Sequence, residues 1–185
     1  MKKLIIISIC AALLAACGNA DDSSTATNGV PDGLESASVA NDAGGPDGAV
    51  LPDQAFALDY GGYIIYMDQN MAEVKDALGE PLGEFEALSC AFDGVDRIFR
   101  YPGIQIHTYP DGEADFVHTI SLRDDSIPIY GGIYIGQNWD DVMAVYGADY
   151  EQDFDMYTYK HSPATLSFLV EEGIVTSISF GLIMG

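Results

Sequence analysis

The sequence predicts an α+β domain of two tandem repeats, each a short helix followed by an antiparallel meander of three or four strands, in a two-layer helix-on-sheet arrangement. Three observations predict it. A helix-patterned segment occurs twice, each copy is followed by strands of alternating hydrophobicity, and the strands are separated by acid-glycine turns.

The chain starts with a different kind of segment. Lys2 and Lys3 precede an apolar run, Leu4 to Leu14, and the small residues Ala15 and Ala16, which is the layout of a secretory signal over residues 1–16. The run is shorter than the roughly 20 residues a spanning helix needs. Leu14-Ala15-Ala16-Cys17 resembles the lipobox of bacterial lipoproteins, and this resemblance implies cleavage before Cys17 and a diacylglyceryl anchor on its thiol. Everything downstream is then expected outside the cytoplasm, held to a bacterial membrane by acyl chains at about 0.8 kcal/mol per buried methylene. Residues 17–55 are Ala, Ser, Thr, Asn, Asp, Gly and Pro with isolated Val and Leu, and read as a disordered acidic stalk without the apolar content for a core.

The first repeat occupies 56–128 and the second 129–185. Gln69-Asn70-Met71-Ala72-Glu73-Val74-Lys75-Asp76-Ala77-Leu78-Gly79 lies over Gln137-Asn138-Trp139-Asp140-Asp141-Val142-Met143-Ala144-Val145-Tyr146-Gly147. Asn70 and Asn138 are expected N-caps, with Glu73 and Asp141 three residues later where an acid favours the helix dipole. Met71, Val74 and Leu78 match Trp139, Val142 and Tyr146 as one buried stripe. Gly79 and Gly147 end the helices. The following strands correspond as well: those ending at Tyr101 and Tyr159, Ile104 to Tyr109 with Thr165 to Val170, and the faces Phe116, His118, Ile120, Leu122 with Ile174, Thr176, Ile178, Phe180. The first copy is longer before Ile98, enough for an added strand from Ala87 to Phe92 with a turn at Asp93-Gly94.

Apolar strand, Asn cap, acid at the third helical position, valine and Leu/Tyr-Gly, with Pro81 after Gly79-Glu80 in the first copy, resemble the repeat unit of the SmpA/OmlA-type envelope lipoproteins. The tandem arrangement, over about residues 60 to 182, is similar to the beta-lactamase inhibitor protein family. The resemblance implies a sheet and projecting loops offered to another protein. It departs from the inhibitors in having no paired cysteines within the repeats, and no enzyme-contacting residue of theirs carries over.

Charge narrows the partner. Against 29 acidic residues the chain has 7 basic ones, and loss of Lys2 and Lys3 leaves 5, a formal −24. Such a surface repels nucleic acid and anionic headgroups, and favours an envelope or secreted protein with a basic surface. With Cys10 in the signal and Cys17 acylated, Cys90 stands alone and reads as a buried small hydrophobe. No G-x-S-x-G, paired histidine or phosphate-loop motif is present, so no catalytic residue is assigned and no cofactor expected. The alternatives are a small extracytoplasmic hydrolase using His118 or His107, and a calcium-responsive adhesion or scaffold element. For calcium the weak candidates are Asp111, Glu113 and Asp115; Asp149, Glu151, Asp153 and Asp155 alternate in the same way, and neither run has the spacing of a twelve-residue calcium loop. His161, beside Ser162-Pro163, is expected in solvent. Tyr157, Tyr159, Tyr109, His107 and Tyr101 form the candidate binding surface, since strand-borne tyrosines add rigid contact area and a hydroxyl each.

Overall fold

Two glycines set the helix ends. Gly79 and Gly147 hold φ of 78° and 77°, a region open to glycine without a Cβ penalty, and their N–H groups donate to Lys75 and Met143 carbonyls to close α1 (Met71–Leu78) and α2 (Trp139–Tyr146). The computed structural model describes residues 51–89 and 94–184. At the other end, the Asn70 side chain accepts from Ala72 N–H at 2.9 Å. Asn138 occupies the N-cap position without a side-chain bond, so its predicted role reduces to backbone geometry. Met71, Val74, Val142 and Tyr146 are buried, with Leu78 and Trp139 packed at the margin of the same core.

A hairpin, β1 (Leu58–Tyr60) and β2 (Tyr63–Ile65), precedes α1. Strands β3 (Gly83–Leu88), β4 (Val95–Tyr101), β5 (Ile104–Asp111) and β6 (Ala114–Leu122) then run before α2. After α2 come β7 (Glu151–Asp153), β8 (Met156–His161), β9 (Ala164–Glu171) and β10 (Ile174–Leu182). All eight join one antiparallel sheet in the order β3-β4-β5-β6-β10-β9-β8-β7. The last strands of the two meanders meet at the centre through Ser179–Ser121, Phe180–Ile120 and Gly181–Thr119. The class is therefore α+β, dominated by one large sheet with two helices.

Three expectations change. The added strand is β3, which starts at Gly83, before Ala87, and pairs with a β4 that begins at Val95; Cys90, Phe92 and Asp93 lie outside the described residues, as do Cys17 and the stalk before Leu51. Second, part of the acidic run after α2 forms β7, an edge strand paired only with β8 and exposed at all three positions, so no apolar alternation announces it. Third, the faces predicted for the last strand of each meander are broken by bulges. A register shift between His107 and Thr108, and another between Val175 and Ser177, turn the alternation over. Val117, Ile120 and Leu122 are buried in β6, and Val175, Ile178 and Phe180 in β10, whereas Phe116, His118 and Thr176 leave the core.

One core collects residues from both helices and both meanders, including Phe99, Ile106, Ile120, Leu166, Phe168 and Phe180. Each fully buried side chain of this size stabilises by about 1.5–3 kcal/mol relative to exposure. The strand positions between them face the other way and stay half-exposed.

Candidate functional site

Partnered residues on adjacent antiparallel strands project to the same side, so register alone assembles the open face. One cross-strand row runs Gly83, Arg100, Gln105 and Ser121 over β3 to β6. It continues through Ser179, Ser167, Thr158 and Glu151 to the far edge. A second row runs Phe85, Ile98, His107 and Thr119, then Gly181, Thr165 and Lys160. At about 4.8 Å per strand each row spans about 34 Å. The middle of the face is small and hydroxylated. Thr158 and Ser167 hydroxyls share a 3.0 Å hydrogen bond, and Thr165 Oγ1 donates to the Gly181 carbonyl at 3.3 Å.

Charge on these rows is sparse and unlike that of the chain. Glu151 is their one carboxylate, and Lys160 Nζ holds it at 2.7 Å. Lys75 pairs with Glu84, and Arg97 with Glu84, Glu86 and Asp115, all toward the helix side of the first meander. The Arg100 carbonyl accepts from Leu82 N–H at 2.7 Å, and its side chain makes no ion pair or hydrogen bond among the described residues. A Cβ placed on Gly83 would lie 2.8 Å from Arg100 Nη2, so the guanidinium rests in the space that a side chain there would fill.

The five residues of the predicted binding surface do not share a side. Tyr101 and Tyr159 are buried, and their hydroxyls donate to the Gly79 carbonyl at 3.1 Å and the Gly147 carbonyl at 2.8 Å, tying each helix end to the sheet. Burial holds both hydroxyls above the ordinary tyrosine range. Tyr157 packs at 4.3 Å on Trp139 in an aromatic group with Tyr150, Tyr159 and Phe168. These three belong to the helix-to-sheet interface, because residues on that side of β4 and β8 meet the helices. His107 and Tyr109 do lie on the open side.

There, Gln105 Nε2 and His107 Nε2 are 2.7 Å apart, and Thr119 Oγ1 and His118 Nδ1 3.1 Å. Burial holds the His107 imidazole below its ordinary range, with His118 adding to the effect and Asp96 opposing it. Tyr109 donates to Asp68 Oδ1 at 2.5 Å, and this bond pushes the hydroxyl up to about 12. Neither histidine meets a serine or cysteine oriented by an acid among the described residues. His161, expected in a solvated loop, ends β8 and is partly exposed: its Nε2 lies 2.8 Å from Asp53 Oδ1 and its ring stacks on Phe56 at 5.0 Å, because the end of β8 abuts the first turn of the domain. Asp111 and Glu113 are exposed at the β5–β6 turn, whereas Asp115 is engaged by Arg97. Among the described residues no cluster of three or more His, Cys, Asp or Glu is arranged to hold a metal ion, and no helix is long and apolar enough to cross a membrane.

A separate cleft of about 670 Å³ lies beside the β1–β2 hairpin, between Tyr60, Ile64 and Pro102 on one side and Ile127, Ile129 and Tyr130 on the other. Sequence reading missed both the cleft and the Arg100 row. The doublet Gly83/Arg100 is visible only through register. No protein-family model, characterised protein or solved structure matches this chain.

Proposed function

We propose that this chain is a lipid-anchored extracytoplasmic module that binds another envelope or secreted protein across its open sheet face and catalyses no reaction. The observation that carries this reading is the pair of cross-strand rows. Eight strands present a continuous side, small and hydroxylated at its centre with Phe85 and Ile98 toward one edge, about 34 Å long and about 20 Å deep, close to the roughly 800 Å² per partner of a stable protein interface. Small side chains at its centre let a partner backbone approach closely.

The order helix, four strands, helix, four strands supports descent from a duplicated unit, like the tandem SmpA/OmlA-type and inhibitor-protein repeats. So do three matched pairs of contacts. Asn70 bridges Phe116 as Asn138 bridges Ile174, Gln69 Oε1 accepts from Tyr66 N–H as Gln137 Oε1 does from Tyr134 N–H, and Tyr101 and Tyr159 each bond a helix-ending glycine. The binding reading stands ahead of a hydrolase centred on His118 or His107 because these rings face Thr119 and Gln105. Calcium has no comparable support in the Asp111, Glu113, Asp115 turn, where Asp115 is already paired.

The test is capture of envelope and secreted proteins by the whole chain in detergent, identified by mass spectrometry, for the parent and for Ser121→Arg and Ser179→Arg at the sheet centre. Loss of one stoichiometric partner in both variants, with melting temperatures unchanged, supports the open face. Capture indifferent to both substitutions refutes it. Incorporation of labelled palmitate that disappears in Cys17→Ser tests the anchor.

A further inference from the structure

We infer that the free edge of β3 is a strand-addition site: it takes an extended segment of another protein, antiparallel to β3, with Lys or Arg opposite Glu86 and an apolar residue opposite Phe85. The site is on the rim of the sheet and does not rest on the open-face reading.

Register shows which backbone groups of β3 are already used. The strand pairs with β4 from Gly83–Arg100 to Leu88–Val95 without a shift, and one step further Ser89 N–H donates to the Gly94 carbonyl at 3.1 Å. Hydrogen-bonded pairs alternate along an antiparallel ladder. Ala87, Phe85 and Gly83 therefore also turn their N–H and C=O groups to β4, and Glu84, Glu86 and Leu88 turn theirs outward. No strand lies beyond β3 among the described residues. The outward residues follow one another at about 6.8 Å in a line, each with one donor and one acceptor, which an extended backbone matches and a compact ligand does not.

The two ends of the sheet are built differently. β7 is three residues long and carries Glu151 and Asp153, short and charged as natural sheets make an edge that must stay unpaired. β3 is six residues long, holds no proline, lysine or bulge, and is exposed at every position from Glu84 to Leu88. Leu88 is 84% exposed and Phe85 61%, one on each side of the strand. The acids of β3 do not guard its edge. Glu84 is held by Lys75 and Arg97, and Glu86 by Arg97 at 2.7 Å, so both side chains lean back toward β4.

The same charges set the sign of the partner. Glu84, Glu86 and Asp115 are matched by Lys75 and Arg97 alone among the described residues, and the Glu86 side chain stays 54% exposed with Oε1 on Arg97. A second copy of the chain fits poorly. Pairing β3 antiparallel with itself over more than three residues sets Glu86 opposite Glu84 or opposite another Glu86, and like charges directly opposite are destabilising. A cationic side chain opposite Glu86 reverses that term, and an apolar one opposite Phe85 covers the ring.

The experiment measures fluorescence anisotropy of labelled synthetic decapeptides against the whole chain in detergent. One alternates Lys with Val, one alternates Glu with Val, and two are the Lys peptide N-methylated either at every Lys or at every Val. In the inferred pairing the lysines lie opposite Glu84, Glu86 and Leu88, so it is their N–H groups that bond to β3. Methylation at Lys is expected to weaken binding by about tenfold or more, methylation at Val by less than about twofold, and exchange of Lys for Glu by about tenfold or more. Hydrogen exchange followed by NMR shows the Glu84, Glu86 and Leu88 amides slowed about tenfold or more by the Lys peptide. Glu86→Pro, which removes an outward N–H and no ladder bond, abolishes binding. No binding of the Lys peptide, equal loss on methylation at Lys and at Val, tighter binding of the Glu peptide, or unaltered exchange at the three outward amides overturns the inference. A dimer of the free chain in sedimentation that Glu86→Pro dissolves gives the edge to a second copy and overturns it as well. Ser121→Arg and Ser179→Arg, on the central strands, leave the affinity of the Lys peptide unchanged; if they abolish it, the peptide sits on the open face and the edge reading falls. If capture of the natural partner is indifferent to them while the edge behaves as inferred, the open-face reading alone falls.

Discussion

Replacing Tyr159 separates a core tyrosine from a recognition tyrosine more cleanly than any other single change. Tyr159 is 2% exposed, its hydroxyl donates to Gly147 O at 2.8 Å, and its ring touches Trp139, Tyr146, Tyr150 and Phe168. Tyr159→Phe keeps the ring and deletes one hydrogen bond to a helix-terminal carbonyl, a loss of about 1 kcal/mol. For a domain of about 130 residues the unfolding entropy near the midpoint is about 0.27 kcal/mol per kelvin, so the melting temperature falls by about 4 °C. Tyr159→Ala also removes the ring from a packed aromatic group, costs about 3–5 kcal/mol, and lowers the midpoint by more than about 10 °C. Thermal unfolding followed by circular dichroism reads both, and urea titration with an unchanged slope shows that the native state and not the unfolded ensemble was altered. Tyr101→Phe, at 3.1 Å from Gly79 O, gives a loss of similar size. If Tyr159→Phe melts within a degree of the parent and Tyr159→Ala within three, the ring is not structural, and the division of the tyrosines between core and open face is mistaken.

Phe154 holds φ of 51° at the β7–β8 turn and is 89% exposed, so Phe154→Gly relieves a left-handed side chain without losing burial and raises stability by about 1 kcal/mol in urea titration. Gly131→Ala does the reverse: at φ 76° its Cβ would lie 2.4 Å from Val145 Cγ1, and the variant is destabilised by more than about 1 kcal/mol in the same assay. His107, held below its ordinary range, binds fewer protons folded than unfolded, so its contribution to stability is full above the unfolded value near 6.5 and is lost as pH falls from there through the lowered folded value. His107→Gln, compared with the parent in urea titrations across that window, flattens this part of the pH dependence. In alkaline titration, Tyr109→Phe removes the absorbance step that the Asp68 bond pushes up to about 12.

Local signals carried the helices and most strands. The stripe Met71, Val74, Leu78 and its counterpart Trp139, Val142, Tyr146 need only helical spacing, and Gly79 and Gly147 need only the rule that a left-handed helix end favours glycine. Where the sequence misled, the cause was non-local. Phe116 and His118 alternate with Val117 as any strand residues do, and nothing local reveals that a bulge opposite His107 turns the later positions over. An edge strand of Glu151, Gln152 and Asp153 has no apolar face to reveal it. The tyrosines were legible as strand residues but not by side, since Tyr157 and Tyr159 share a face whichever way it points. The contact between Arg100 and Gly83 was invisible because it depends on a register partner on another strand.

The two sides of the sheet divide the work. On the helix side large residues fill the core, and charged ones at its margin are consumed in pairs such as Lys75–Glu84 and Arg97–Glu86. On the open side the central strands place Ser121, Ser179, Thr119 and Gly181 opposite one another, although β-branched and aromatic residues would hold a sheet more firmly there. Gly181 is the clearest case. Its φ is not left-handed and a Cβ would sit 2.9 Å from Thr165 Oγ1, so it keeps the floor low where the two meanders join. A seam of three residue pairs built from small side chains contributes little cross-strand packing of its own on that face, and the coupling of the halves falls to Ile120, Ile178 and Phe180 on the other. The stability forgone on the open side fits the close approach that the binding reading proposed above requires.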